Sequence, residues 1–178
     1  MIRMMFAVAA AALAAIPAAA ADTKYALTGE NTKVEFVGTK ATGKHVGGFK
    51  KLSGTATVNG ESIAVEAEID CDSLYTDDPQ GKLTQHLKSP DFFAVKDHPT
   101  AKFKSTKVEK KDNIYVVAGE FTLLGKTKEI SFPAEIQSGD TFVLKAEFKI
   151  NRLDWGMTYG KGMVDDVVTI KVDVNAKK

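Results

Sequence analysis

Few side chains in this sequence have the types and spacing for acid–base, nucleophilic or metal chemistry. His45, His86 and His98 lack the close spacing of a metal-binding motif, so a shared site would need the fold to gather them. His86 falls on a helix face, and His98 precedes Pro99 in a turn. Cys71 is the sole cysteine, so it has no internal disulfide partner. It ends an alternating run on the parity of Ile63 and Ile69, which reads as a small buried apolar residue. A nucleophilic cysteine would need a base, and none is visible nearby in the sequence. Asp165 and Asp166 are adjacent, and in a strand they would point to opposite faces, which argues against shared proton transfer. Gly160-Lys161-Gly162 is too short for a phosphate-binding fingerprint, and no Gly-x-Ser-x-Gly elbow occurs. Arg152 and Asp154, beside Trp155, fit two roles: polar residues at the mouth of a site, or an exposed ion pair closing a turn.

The elements that must position these residues are strands. Phe142, Leu144, Ala146, Phe148 and Ile150 alternate with Val143, Lys145, Glu147 and Lys149. Ile63, Val65, Ala67 and Ile69 alternate with Ala64, Glu66 and Glu68. Successive strand side chains point to opposite faces, so each segment has an apolar face and a mostly wet one. Further strands are predicted at 24–28, 32–39, 49–58, 100–109, 113–124, 128–136, 141–152 and 164–175, with Asn59-Gly60 as the strongest hairpin signal. Eight or nine strands with short connections predict an all-β, antiparallel domain. One segment departs from the pattern. Asp78-Pro79 reads as a cap and first residue of a short helix that carries Leu83 and Leu87 on one face and ends at Ser89-Pro90. Such a helix at one end of a barrel either gates it or completes its core.

Residues 1–21 are predicted to be a cleaved signal peptide: Arg3, an apolar run from Met4 to Ile16, Pro17, then small residues, with cleavage after Ala20 or Ala21. The remainder, 22–178, has the size of one domain. Its 24 basic and 23 acidic residues over the whole chain nearly cancel, and no basic block occurs, so binding to nucleic acid or to a membrane through bulk charge is not expected. A periplasmic location follows from the leader, without stable membrane insertion after its removal. A homodimer is compatible with the sequence.

The segments Lys82 to Phe93, Pro99 to Phe103, Gly119 to Leu123 and Phe148 to Gly156 resemble, in order, the motifs of the YceI-like family of exported, lipocalin-like proteins. The resemblance implies an antiparallel β-barrel of about eight strands around a tunnel for a polyisoprenoid or quinone-like lipid, with no cofactor required and no catalytic residues. On that reading Phe36, Phe103, Phe121, Phe148 and Ile150 line the tunnel, Phe92, Phe93 and Trp155 lie near its ends, and Arg152 and Asp154 sit at its mouth. Ordinary core packing would account for any one of these aromatics taken singly. The other readings are a packed barrel that binds a protein partner through an exposed edge strand, and a lipid-modifying enzyme.

Overall fold

In the computed structural model, residues 21–178 are described; the expected leader lies outside them except for Ala21. Eleven strands and one α-helix follow in chain order: β1 (Thr23–Thr28), β2 (Thr32–Lys40), β3 (Gly43–Phe49), β4 (Leu52–Asn59), β5 (Ser62–Asp70), β6 (Leu74–Thr76), α1 (Lys82–Lys88), β7 (Thr100–Lys111), β8 (Ile114–Leu123), β9 (Lys126–Gln137), β10 (Thr141–Asn151) and β11 (Val167–Lys177). All pairs are antiparallel, in the order β1-β4-β5-β7-β8-β9-β10-β11-β2-β3-β6, as one sheet curled around an apolar interior. The two extra strands arise from glycine and from brevity. The glycine-rich stretch is itself β3, and the expected strand at 49–58 breaks at Lys50-Lys51. β6 is three residues long, too short to alternate visibly.

Register is held on both faces. On β10 the inward side chains Phe142 and Leu144 are buried, while Lys145, Glu147 and Lys149 are exposed. Across the outer face, Glu35, Lys171 and Glu147 form one row on β2, β11 and β10. Lys33, Asp173, Lys145 and Glu135 form the next, across β2, β11, β10 and β9. Charge alternates along both rows. Each exposed pair contributes at most about 1 kcal/mol, but a slip of one residue would turn every charge inward.

The wall is loose between the long strands β9 and β10, which pair only through Glu135, Ile136 and Gln137 on the β9 side. Pro133, with no N–H to donate, lies two residues before that short ladder. A 3₁₀ turn over Arg152–Trp155 packs against β9. Its Trp155 is buried, stacks edge-on to Phe121 at 5.4 Å and donates its indole N–H to the Phe121 carbonyl at 3.2 Å. Helix α1 starts at Lys82, three residues later than Pro79. The Asp78 carboxylate still caps it, accepting from the Leu83 N–H at 2.8 Å, but across an intervening turn through Gly81. The helix is tied down by a Thr76–Thr84 hydroxyl pair at 2.8 Å and by Lys88, which reaches Asp72 at 3.0 Å.

Candidate binding cavity

The curled sheet encloses a cavity of about 370 Å³, within the ~300–1,000 Å³ usual for small-molecule sites. Strands supply most of its lining, and Leu83 and Leu87 of α1 project into it, so the helix completes the interior. The aromatic lining falls into groups. Phe36, Phe49 and Phe93 meet with ring centroids 5.6–6.1 Å apart. Phe132 stacks on Phe148 at 4.2 Å and touches Phe103 at 5.8 Å. These rings lie along the walls because the sheet makes room for them. A Cβ at Gly47 would run into the Phe36 ring, its cross-strand neighbour, and one at Gly119 would come within 2.7 Å of Phe103. Ring-over-glycine packing leaves space in the middle of the barrel that upright side chains would fill.

One end is sealed. Tyr25 and Phe142 are fully buried with ring centroids 5.5 Å apart, and the Tyr25 hydroxyl donates to the Gly139 carbonyl at 2.7 Å. At the other end the lining turns polar, with Thr39, Lys40, His45, His86, Arg152 and Tyr159. Here the tip of the β2–β3 hairpin meets the loop between the 3₁₀ turn and β11: Asp165 N–H donates to the Thr39 carbonyl at 2.9 Å. His86, Phe92 and Tyr159 form a three-ring cluster with centroid distances of 4.8–5.2 Å, which joins α1 and its following turn to that loop.

Arg152 organises this mouth. It is 3% exposed, so it is not part of a surface ion pair. Its guanidinium donates to the carbonyls of Met157, Tyr159, Val164 and Asp165 at 2.6–3.1 Å and to the Asp166 carboxylate at 3.3 Å. Five planar donors in a fixed fork suit a loop whose carbonyls have no ladder partner. Its acidic partner is Asp166, with Asp165 occupied by the Thr39 hydroxyl, so the adjacent carboxylates serve different neighbours just ahead of β11.

Of the ten residues expected at the site, Phe36, Phe92, Phe93, Phe103, Phe121, Phe148, Ile150 and Arg152 line the cavity. Trp155 stands one layer behind Phe121, and Asp154 is exposed, away from the lining. The sequence reading missed Phe49, Phe132, Met157 and Tyr159, all of which line the cavity. Phe132 was accessible to the alternation argument, since it shares parity with Ile130, Ala134 and Ile136. Met157 and Tyr159 lie in the irregular loop before β11 and carry no periodic signal.

The histidines do not converge. His45 pairs with Asp77 at 3.0 Å, and His86 with Asp91 at 2.9 Å. Among the described residues no three histidine, cysteine, aspartate or glutamate side chains gather as a metal site. Cys71 is buried, and desolvation, with the charge of Asp70 adding to it, pushes its thiol up to about 11, so it stays protonated at neutral pH.

The architecture defines the class: an antiparallel lipocalin-like β-barrel, sealed at one end, with a helix packed into its interior. The YceI-like domain profile matches residues 25–176, and the chain belongs to that family. A UPF0312 protein of Photorhabdus laumondii is 38% identical over 93 residues, covering 51% of this chain and 47% of that one, so that match spans about half the length of the relative. A UPF0312 protein of Vibrio cholerae is 34% identical over 141 residues, covering 75% of this chain and 73% of its own. Among solved structures, BcnA of Burkholderia cenocepacia superimposes with a TM-score of 0.74 at 25% identity, over 82% of this chain and 96% of that one. A domain of Saccharophagus degradans described as polyisoprenoid-binding has a TM-score of 0.68 at 14% identity, over 86% and 97%. At that identity the likeness concerns the fold.

Proposed function

We propose that this protein is a non-enzymatic periplasmic carrier that holds a long apolar lipid, of the isoprenoid or quinone type, inside its barrel. The observation that carries the reading is the cavity: about 370 Å³, apolar along its walls, with most of its polar side chains at one end. A tail of ten buried methylenes at roughly 0.8 kcal/mol each gives about 8 kcal/mol, near micromolar affinity before ordering costs. No charged contact is needed for that, so binding should depend weakly on salt. The polyisoprenoid-binding description of the Saccharophagus domain, which shares the fold, supports the choice of ligand class.

Mass spectrometry of an organic extract of the natively purified protein tests the reading. A prenyl-chain lipid in stoichiometric amount is expected. Protein that carries none, and takes up no prenyl alcohol after delipidation, would refute it and favour the protein-partner or enzyme alternatives. Ala67 lines the wall, so Ala67→Phe should shorten the longest tail accepted while the fold survives the added volume.

A further inference from the structure

Arg152 is the buried cation at the mouth, and every one of its donors is engaged. A guanidinium carries five N–H groups. Here one goes to the Asp165 carbonyl, two to the carbonyls of Met157 and Tyr159, and two to the Val164 carbonyl and the Asp166 carboxylate. A lipid head at this end therefore finds no free donor on Arg152, and Asp166 offsets its charge. Lys40 is the other cation on the lining, and it is exposed, where water and salt screen it. Around the mouth Glu35, Asp77, Asp91, Asp165 and Asp166 stand against Arg152, Lys40, Lys44 and Lys161. The negative charges are no fewer than the positive ones, so this end exerts no net pull on an anion.

The mouth offers acceptors instead. His45 and His86 both border the cavity. His45 turns Nδ1 to the Asp77 carboxylate at 3.0 Å, and His86 turns Nε2 to the Asp91 carboxylate at 2.9 Å. An ionised carboxylate only accepts, so each of these two nitrogens carries a proton. In the neutral ring the second nitrogen then presents a lone pair: Nε2 of His45 and Nδ1 of His86. Neither has a hydrogen-bond partner among the described residues. The Tyr159 ring, 4.8 Å from His86 between centroids, brings a hydroxyl that is likewise unpartnered among them. The Thr39 hydroxyl, by contrast, is taken by Asp165.

We infer that the mouth selects a lipid whose head is neutral and donates a hydrogen bond, a hydroxyl such as that of a prenyl alcohol or a quinol, with His45 and His86 as the acceptors. The inference rests on the carrier reading and names the head which that reading leaves open. An ionised carboxylate or phosphate head would bring acceptor oxygens and charge to a rim whose buried cation is already saturated. A quinone or an ether head would set its own acceptors against the imidazole lone pairs and leave both sides unpaired.

Equilibrium dialysis of the delipidated full-length protein against matched probes tests it. Farnesol, farnesyl methyl ether and farnesyl phosphate share one tail and differ in the head. Ubiquinol-2 and ubiquinone-2 form a second pair. The hydroxyl-bearing member of one pair should bind roughly tenfold more tightly than its partner without a donor, the scale of one hydrogen bond lost in a desolvated site. A preference for farnesol over its ether names a prenyl alcohol, and a preference for quinol over quinone names a quinol. His45→Leu/His86→Leu should abolish that preference while leaving the affinity for the ether or the quinone unchanged; a mere loss of packing would lower both members alike. Equal binding within both pairs, tighter binding of farnesyl phosphate than of farnesol, or a preference that survives in the folded double variant would overturn the inference and leave the carrier reading standing. Protein that takes up none of the five probes would end both.

Discussion

The walls and floor of the cavity are built by strands, whereas its mouth is built by turns, and the two are held by different forces. At the floor, Tyr25 and Phe142 are packed out of reach of water, with one side-chain hydrogen bond between Tyr25 and a carbonyl. At the mouth, one buried guanidinium gathers four carbonyls from residues 157–165 that no ladder satisfies. Apolar burial is non-directional and tolerates many sequences, whereas a multidentate polar centre fixes one loop conformation and depends on every member. The floor should therefore resist substitution in proportion to volume and polarity. The mouth should fail at a single residue.

The largest effect is expected at the floor. Phe142→Asp places an unpaired carboxylate where no exposed surface remains, and should cost more than about 4 kcal/mol or abolish folding. Lys149→Asp, seven residues along the same strand on the outer face, should cost under about 0.5 kcal/mol. Denaturant melts in which both changes are equally mild would break the assignment of faces.

At the mouth, Arg152→Leu should cost about 3 kcal/mol, because the Asp166 carboxylate and four carbonyls lose their donors together. The loss should be local. Trp155, the last residue of the turn that Arg152 opens, should change its fluorescence, while amide exchange around Phe142 stays slow. A uniform loosening of floor and mouth would show that the two regions are one cooperative unit.

The same division decides what could be read from sequence. The facing of Phe148 and Ile150 was legible because a strand repeats every two residues, so one apolar neighbour fixes the facing of the next, whereas the tunnel that they and Phe36, Phe103 and Phe121 would line was implied by the family resemblance. Tyr159 was not, since its place depends on contacts with His86 and Phe92, more than sixty positions earlier. Arg152 was legible as a residue of interest but not in its role. An Arg-x-Asp spacing suggests a local ion pair, yet its partner is Asp166, across an intervening loop. β3 was hidden by its glycines, of which Gly47 seats Phe36 and Gly48 lies against Tyr75.

That seating gives a smaller effect, on the wall itself. Gly47→Ala puts a methyl group into the Phe36 ring and close to the Tyr75 carbonyl, so the ring must rise toward the cavity. Overpacking of this kind costs typically about 1–3 kcal/mol, and the variant should also hold less of any apolar probe that fills the interior. Unchanged stability together with unchanged uptake would mean that the ring-over-glycine contact does not set the cavity's width.

The smallest effect separates wall from mouth by pH. Asp77 and Asp78 lie between β6 and α1, and both carboxyls are held below the ordinary value of 3.8. For Asp77 the main cause is the Val46 N–H, with His45 adding to it; for Asp78 it is the N–H groups of Leu83 and Gln80. A carboxyl whose folded pKa is depressed contributes stability that is fully present above its unfolded value and is lost as pH falls through the folded one. The window is therefore below about pH 3.8, and both groups are solvent-accessible enough that global stability should barely register it. Two-dimensional NMR from pH 5 downward should show the Val46 and Leu83 amide protons titrating with midpoints below 3.8, while amides around Phe142 and Val117 do not follow them. Midpoints at or above 3.8 would remove these carboxylates as ties of the helix and the hairpin. Floor amides moving in step with them would mean that the sealed end senses the junction after all, and that strand-built and turn-built regions are coupled more tightly than their separate bonding implies.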